Sequence, residues 1–345
     1  MSNLESLNIP AWGSEEALRK EEHVARFLER EYASFQDRPV SLNDLGIDPS
    51  VGPMSSQTED LMETHYDQEL KLFRGFLDSV FLAYTMAYYG REAEEVKNNR
   101  CSLEDAQEAK FKLICQRIGI CGDERILNVG CGFGAFERYL LEQFPNIEVV
   151  GITPSKVQVE FIEECMSDPD HVFSKGNFRV LLADFQSFDP LGAEIFDVVT
   201  TVGLIEAIRN VDALNKKIDM HLKPGGKAFH HLIVSKLVVP QFLDSEKSLI
   251  GKYFPGGIVW PFEEISKYPG PMHFAQSWFI NGMNYWKTLD EWHNNFWKNT
   301  DSLRDRLSEE DIAYWNDYFI LCKACFRPLS GTAFGNGHYL FRKPK

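Results

Sequence analysis

Near the start of the chain the apolar residues recur every three or four positions. Leu18, Val24, Phe27, Leu28 and Phe35 follow Ser14-Glu15-Glu16, a capping start, and this spacing predicts a helix. Prolines at 39, 49 and 53 and glycines at 46 and 52 break the period over 37–59, which reads as a linker. Helical spacing returns over 61–89. Ser102, with Asp105 three residues on, has the capping-box form and predicts another helix running to about residue 120.

From Glu124 onward the period changes. Short apolar runs at 126–129, 147–152, 178–182, 196–202 and 227–234 are separated by segments long enough for crossover helices. That alternation predicts an α/β fold with a parallel, doubly wound sheet. Two further stretches, 318–326 and 338–341, read as β-rich and follow an aromatic, irregular insertion over 236–299. There is no internal repeat and no low-complexity tract.

The first predicted strand runs straight into Gly130-Cys131-Gly132-Phe133-Gly134, ahead of a helical segment. Glycines at such a turn let the backbone take positive φ and approach a ligand, while the N–H groups of the helix start face it. This context points to a nucleotide-type ligand. A dinucleotide loop spaces its glycines as G-x-G-x-x-G, and here the third glycine comes one residue earlier.

Composition narrows the classes of function. The 345 residues carry 36 basic and 51 acidic side chains, a net charge of −15. The length suits one large or two small domains. The acid excess argues against a nucleic-acid partner, because phosphate backbones are held largely by Lys and Arg. No cationic, apolar leader opens the sequence, and no segment approaches the roughly 18 apolar residues of a spanning helix, so a cytoplasmic protein without stable membrane insertion is expected. The cysteines at 101, 115, 121, 131, 165, 322 and 325 lack framework spacing and read as reduced thiols. Cys322 and Cys325 form a lone C-x-x-C, without the second pair a zinc ribbon needs, so no metal is expected.

The G-C-G-x-G form resembles motif I of class I S-adenosylmethionine-dependent methyltransferases. The resemblance extends to the cyclopropane-fatty-acyl-phospholipid synthase group, which includes mycolic acid methyltransferases and plant benzylisoquinoline N-methyltransferases. It is carried by His65-Tyr66-Asp67, Phe76-Leu77-Asp78, Ala83-Tyr84-Thr85, Ser102 to Gln107 with Lys110, and Gly151-Ile152-Thr153-Pro154-Ser155-Lys156-Val157-Gln158. Late signatures at Phe254-Pro255-Gly256-Gly257 and Tyr285 to Trp292 complete it. It covers about residues 60–345. It implies a mainly parallel, seven-stranded Rossmann-like sheet with N-terminal helices and an aromatic C-terminal insertion. The corresponding organisation is an N-terminal extension (1–60), a helical cap (61–123), a cofactor-binding core (124–235) and an acceptor-pocket region with final strands (236–345).

The resemblance also implies roles. Gly130, Gly132 and Gly134 would hold the amino-acid end of S-adenosylmethionine, with Tyr84 and Thr85 closing over it. Thr153 and Gln158 would meet the ribose, and Asp184 and Phe185 the adenine. Asn128 stands where many relatives have Asp, which removes a negative charge near the cofactor. Glu206, His231, Tyr285 and Cys322 match catalytic positions. His230 makes the histidine register uncertain by one, and strand alternation allows only one of the two to face the site. Met86 and Ala207 replace the cysteine and histidine usual in the family, so bicarbonate, which serves the cyclopropane-forming members, is a weaker expectation than methyl transfer. The implied activity is methylation of carbon or nitrogen in a small apolar or amine-bearing acceptor. The alternatives are cyclopropane formation or methylation on unsaturated acyl chains, and a cofactor-binding protein without chemistry. Oligomeric state stays open.

Overall fold

The computed structural model describes residues 9–55, 70–188, 195–243, 251–305 and 307–345. The His65-Tyr66-Asp67 segment lies outside them. Among the described residues, no helix is long and apolar enough to cross a membrane.

The helix start at Ser14 is as expected: its hydroxyl accepts from Ala17 N–H and opens α1 (Glu15–Asp37). Of the predicted 61–89 helical segment, 61–69 lie outside the described residues, and within 70–89 the helix is α2 (Leu70–Phe76). The chain then turns because Asp78 takes the backbone N–H groups of Phe81 and Ala83 on its two carboxylate oxygens. Gln107 holds the carbonyls of Ala83 and Thr85 from the other side. Helix α3 (Ala93–Asn98) precedes α4 (Leu103–Ile118), whose Ser102–Asp105 capping box forms as the sequence predicts.

Every predicted core strand is present: β1 (Arg125–Val129), β2 (Glu148–Thr153), β3 (Asn177–Leu182), β4 (Phe196–Val202) and β5 (Leu222–Ser235). They are interleaved with α5 (Ala135–Gln143), α6 (Lys156–Ser167) and α7 (Val211–His221). A two-residue strand, β6 (Trp260–Pro261), pairs with the end of β5. The insertion predicted to be irregular contains β7 (His273–Asn281) and the start of α8 (Met283–Leu303). The predicted β-stretch at 318–326 is instead the second half of α9 (Glu309–Cys325), opened by a Ser308–Asp311 capping box. Its Tyr, Phe, Ile and Leu residues favour strands by type, but the cap and burial around most of its girth keep it helical. Strand β8 (Phe334–Arg342) closes the chain.

The strand order is β3-β2-β1-β4-β5-β8-β7, parallel from β3 to β5, with β8 antiparallel to both neighbours. The order reverses at β1, so the ends of β1 and β4 open a crevice there. Alternation sorts each strand. Leu127, Val199, Ala228 and Phe341 pack toward α7, while Ile126, Val198, Phe229 and Leu340 pack toward α4 and α5.

Helix α1 is joined to α8 and α9 by a buried ionic knot. Lys323 lies 3.1 Å from Glu21 Oε2 and 2.9 Å from Asp290 Oδ1. Glu21 Oε1 also accepts from Trp286 Nε1 (2.9 Å) and Arg327 Nη1 (3.2 Å). Every charge in this knot has a partner, so its geometry is fixed even where its net contribution is small. Lys323→Met leaves the buried Glu21 and the half-buried Asp290 without their shared cation. It is expected to cost about 3 kcal/mol, read as a lower urea midpoint at unchanged slope. A midpoint equal to that of the parent would show that α1 does not depend on the knot.

Candidate active site

The site forms at the crevice, where β1 ends in the glycine loop. Gly130, Gly132 and Gly134 all have positive φ (81°, 60° and 81°). The N–H groups of Gly130 and Cys131 both donate to Ile152 O, which ties the loop to the end of β2. At Gly134 a Cβ would stand 2.7 Å from the Phe173 ring, so the third glycine serves packing. At Gly132 a Cβ would meet nothing within 4 Å, so the second glycine faces open space. A ligand can therefore approach the loop backbone there.

At the end of β2, the Thr153 hydroxyl donates to Gln158 Oε1 (2.6 Å), and Ser155 caps α6 by accepting from Gln158 N–H. The Gln158 amide hydrogens are the donors this pair has left for a ligand. Across the loop, Asp184 holds the Gln186 N–H, and Phe185 stacks near Phe188 and His221. Thr153, Gln158, Asp184 and Phe185 all border one cavity of about 270 Å³, together with Asn128 and the glycine loop.

Asn128 brings in a residue that sequence reasoning missed. Its Nδ2 donates to Glu137 Oε1 (2.7 Å), and its Oδ1 accepts from the Thr200 hydroxyl (2.8 Å). Burial pushes the Glu137 carboxyl up to about 7, offset in part by the Asn128 hydrogen bond. An acid on α5 thus braces Asn128 from outside the cavity lining, and burial favours its neutral form. A Glu at the third position of a helix following such a loop was the available signal.

The far side of the cavity is aromatic and apolar. Tyr84, Phe133, Phe254, Tyr285, Tyr318 and Phe334 form much of its wall. Tyr285 stacks on Phe326 with ring centroids 4.5 Å apart, and the hydroxyls of Tyr84 and Tyr318 are 3.1 Å apart. Cys322 lies in the wall, its thiol held protonated by burial. No Lys, Arg or His belongs to the lining among the described residues, and its acids are Asp184 and Glu206.

Glu206 sits in the turn after β4. Its Oε1 accepts the Ile233 N–H (2.7 Å), its backbone carbonyl accepts the Ile258 N–H, and its Oε2 is buried without a protein partner. Desolvation pushes its carboxyl up to about 7. A group of this kind takes or gives a proton near neutrality.

The two adjacent histidines part as alternation requires. His230 turns toward α7, between Thr201 and Asn215. His231 turns toward the cavity side but does not line it: its Nε2 lies 3.1 Å from Thr85 Oγ1, and Thr85 is the residue in the wall. Met86 is buried outside the lining, whereas Ala207 belongs to it.

A family model for mycolic acid cyclopropane synthetase matches residues 54–332. Cyclopropane-fatty-acyl-phospholipid synthase of Escherichia coli (strain K12) is 29% identical over 269 residues, 76% of this chain but 63% of that protein's length. (S)-coclaurine N-methyltransferase of Thalictrum flavum subsp. glaucum is 25% identical over 261 residues, 72% of this chain and 71% of that one. Among solved structures, coclaurine N-methyltransferase bound to N-methylheliamine and SAH superposes with a TM-score of 0.80 at 21% identity, covering 94% of this chain and 95% of that one. The cyclopropane synthase MmaA2 from Mycobacterium tuberculosis gives 0.70 at 25%, covering 85% and 100%. With a family model spanning most of its length, and a glycine loop at the switch point of the sheet, this chain belongs to the mycolic acid cyclopropane synthetase family.

Proposed function

We propose that this protein is an S-adenosylmethionine-dependent N-methyltransferase acting on a small amine with an apolar or aromatic body. The carrying observation is Glu206, a carboxyl with one oxygen buried and unpartnered, in a cavity whose lining among the described residues contains no cationic side chain. Such a wall favours a cation or a proton donor, because a buried carboxylate is stable only when its charge is matched.

The residues present fit the cofactor. The loop at Gly130, Gly132 and Gly134 would hold its amino-acid end, Thr153 and Gln158 its ribose, and Asp184 and Phe185 its adenine, with Tyr84 and Thr85 over it. Bound there, it supplies an electrophilic methyl on a sulfonium. Glu206 accepts the proton of the acceptor's ammonium group and so presents a neutral nitrogen lone pair. The aromatic wall, with Tyr285 on Phe326, excludes water and orients the acceptor, and alignment in a dry cavity can supply much of the rate. Cys322 acts as neutral wall. His231 acts through Thr85. Bicarbonate fits poorly. The lining has no cation to match it, and the Ile233 N–H is already taken by Glu206. Cyclopropane formation on an unsaturated acyl chain is therefore the second reading.

Three outcomes are expected. In calorimetric titration the protein binds S-adenosylmethionine, and Gly132→Val weakens binding at least about tenfold by straining a positive-φ position and filling open space. No binding at millimolar cofactor would remove the reading. With an amine acceptor, kcat rises with pH through about 7 as Glu206 loses its proton. Glu206→Gln loses that limb and on the order of 10² or more in rate, with cofactor affinity intact; unchanged turnover would strip Glu206 of its role. Removing bicarbonate leaves amine methylation unaffected, whereas dependence on it would favour the acyl-chain reading.

A further inference from the structure

A line of side chains runs along one face of the sheet from the half-buried Arg117 on α4 to the cavity. Arg117 Nη1 is 2.6 Å from His338 Nδ1, His338 Nε2 is 2.7 Å from His231 Nδ1, and His231 Nε2 is 3.1 Å from Thr85 Oγ1. His231 and His338 face each other across neighbouring strands, as paired residues of β5 and β8. Both are fully buried, and desolvation with the nearby Lys110 and Arg117 charges keeps them neutral.

The end member fixes every proton in the line. Arginine only donates, so His338 Nδ1 accepts and its Nε2–H donates to His231 Nδ1. His231 must then carry its proton on Nε2 and donate to the Thr85 hydroxyl. Asn336 agrees with this direction: its Nδ2 is placed 3.3 Å from His231 Nε2 while its Oδ1 is buried without a partner. Turning that amide over removes a donor–donor clash and lets the Asn336 oxygen share the Nε2–H with Thr85. With one lone pair of its oxygen accepting from His231, Thr85 has its O–H free to donate toward the cavity. Its position is held from the other end as well, since its carbonyl accepts from Gln107, which Lys110 grips in turn. The hydroxyl stands over Gly203, just past the end of β4.

We propose that Arg117 and His338 are positioning residues of the cofactor site, acting through His231 to hold the Thr85 hydroxyl as a directed donor toward a carboxylate bound at the glycine loop. This rests on the reading of that loop as an S-adenosylmethionine site, whose amino-acid end carries such a carboxylate. No proton is transferred along the line; its members orient one another, and the chain of dipoles strengthens the last donor.

Calorimetric titration of the full chain with S-adenosylmethionine tests it. Thr85→Val and His338→Leu are each expected to weaken binding about tenfold, the worth of one hydrogen bond to a charged group. The double variant should bind within about twofold of Thr85→Val alone, because one interaction is lost either way. His338→Gln, which can accept from Arg117 and donate to His231, should recover affinity to within about twofold of the parent. If His338→Leu fails to fold, Arg117→Met at the half-buried end of the line should give the same loss, with rescue by Arg117→Lys. Losses that multiply in the double variant, or no rescue by glutamine, would overturn the relay while leaving the cofactor site standing. Absence of binding by the parent protein would overturn the cofactor reading itself.

Discussion

A carboxyl group that water cannot reach sets the terms for this cavity. Glu206 is held by two backbone contacts, Ile233 N–H to its side chain and Ile258 N–H to its carbonyl. These join the turn after β4 to the end of β5 and to the segment before β6. Its unpartnered oxygen is tolerable only because the carboxyl can keep its proton near neutrality. The aromatic wall and the lack of a cationic side chain among the described lining residues both bear on that one equilibrium. A Lys or Arg in the lining would pair with Glu206 and hold it ionised, and a wetter wall would return it to ordinary acidity.

Glu137 shows how the same shift can carry a different meaning. Glu137 is fully buried, Glu206 is half-buried with its Oε2 out of reach of solvent, and both carboxyls are pushed up to about 7. Glu137, however, spends one oxygen on Asn128, which is itself fixed by Thr200, and it lies outside the cavity lining. Its work is to keep the strand that launches the glycine loop in register with the helix that receives it. Lining and partners, rather than the shift, separate a group that can meet a ligand from one that braces the scaffold.

How far the sequence could be read follows from where each signal was stored. The strands β1 to β5 were legible because each is a short apolar run flanked by turn residues, and the helices from Ser14 and Ser102 because their caps are local. Helix α9 defeated the same reasoning: Ile312, Trp315, Tyr318, Phe319 and Ile320 leave little polar stripe, so periodicity vanished and strand-forming residue types prevailed. The Ser308–Asp311 box was the one local clue. Strand β7 and helix α8 were hidden for other reasons: β7 is an edge strand exposed over His273 to Gln276, and the buried face of α8 carries the polar Asn284, Lys287, Thr288 and His293, which blur its apolar period. The site divides likewise. The glycine loop and the Thr153–Gln158 pair are close in sequence and could be found. Glu137 with Asn128, and His338 with His231, are joined only by folding, across elements no spacing rule connects.

The net charge and the cavity speak to different questions, although both carry a negative sign. A charge of −15 describes the outer surface, where it disfavours polyanionic partners and gives no support for docking on an anionic bilayer. It does not determine what enters a 270 Å³ pocket. The two meet at α1. That helix lies outside the matched family region, yet through the Glu21–Lys323 knot and the Tyr32 ring against Phe334 it presses on the cavity wall from behind. A segment outside the family model's match thereby braces Phe334, a residue of the cavity wall.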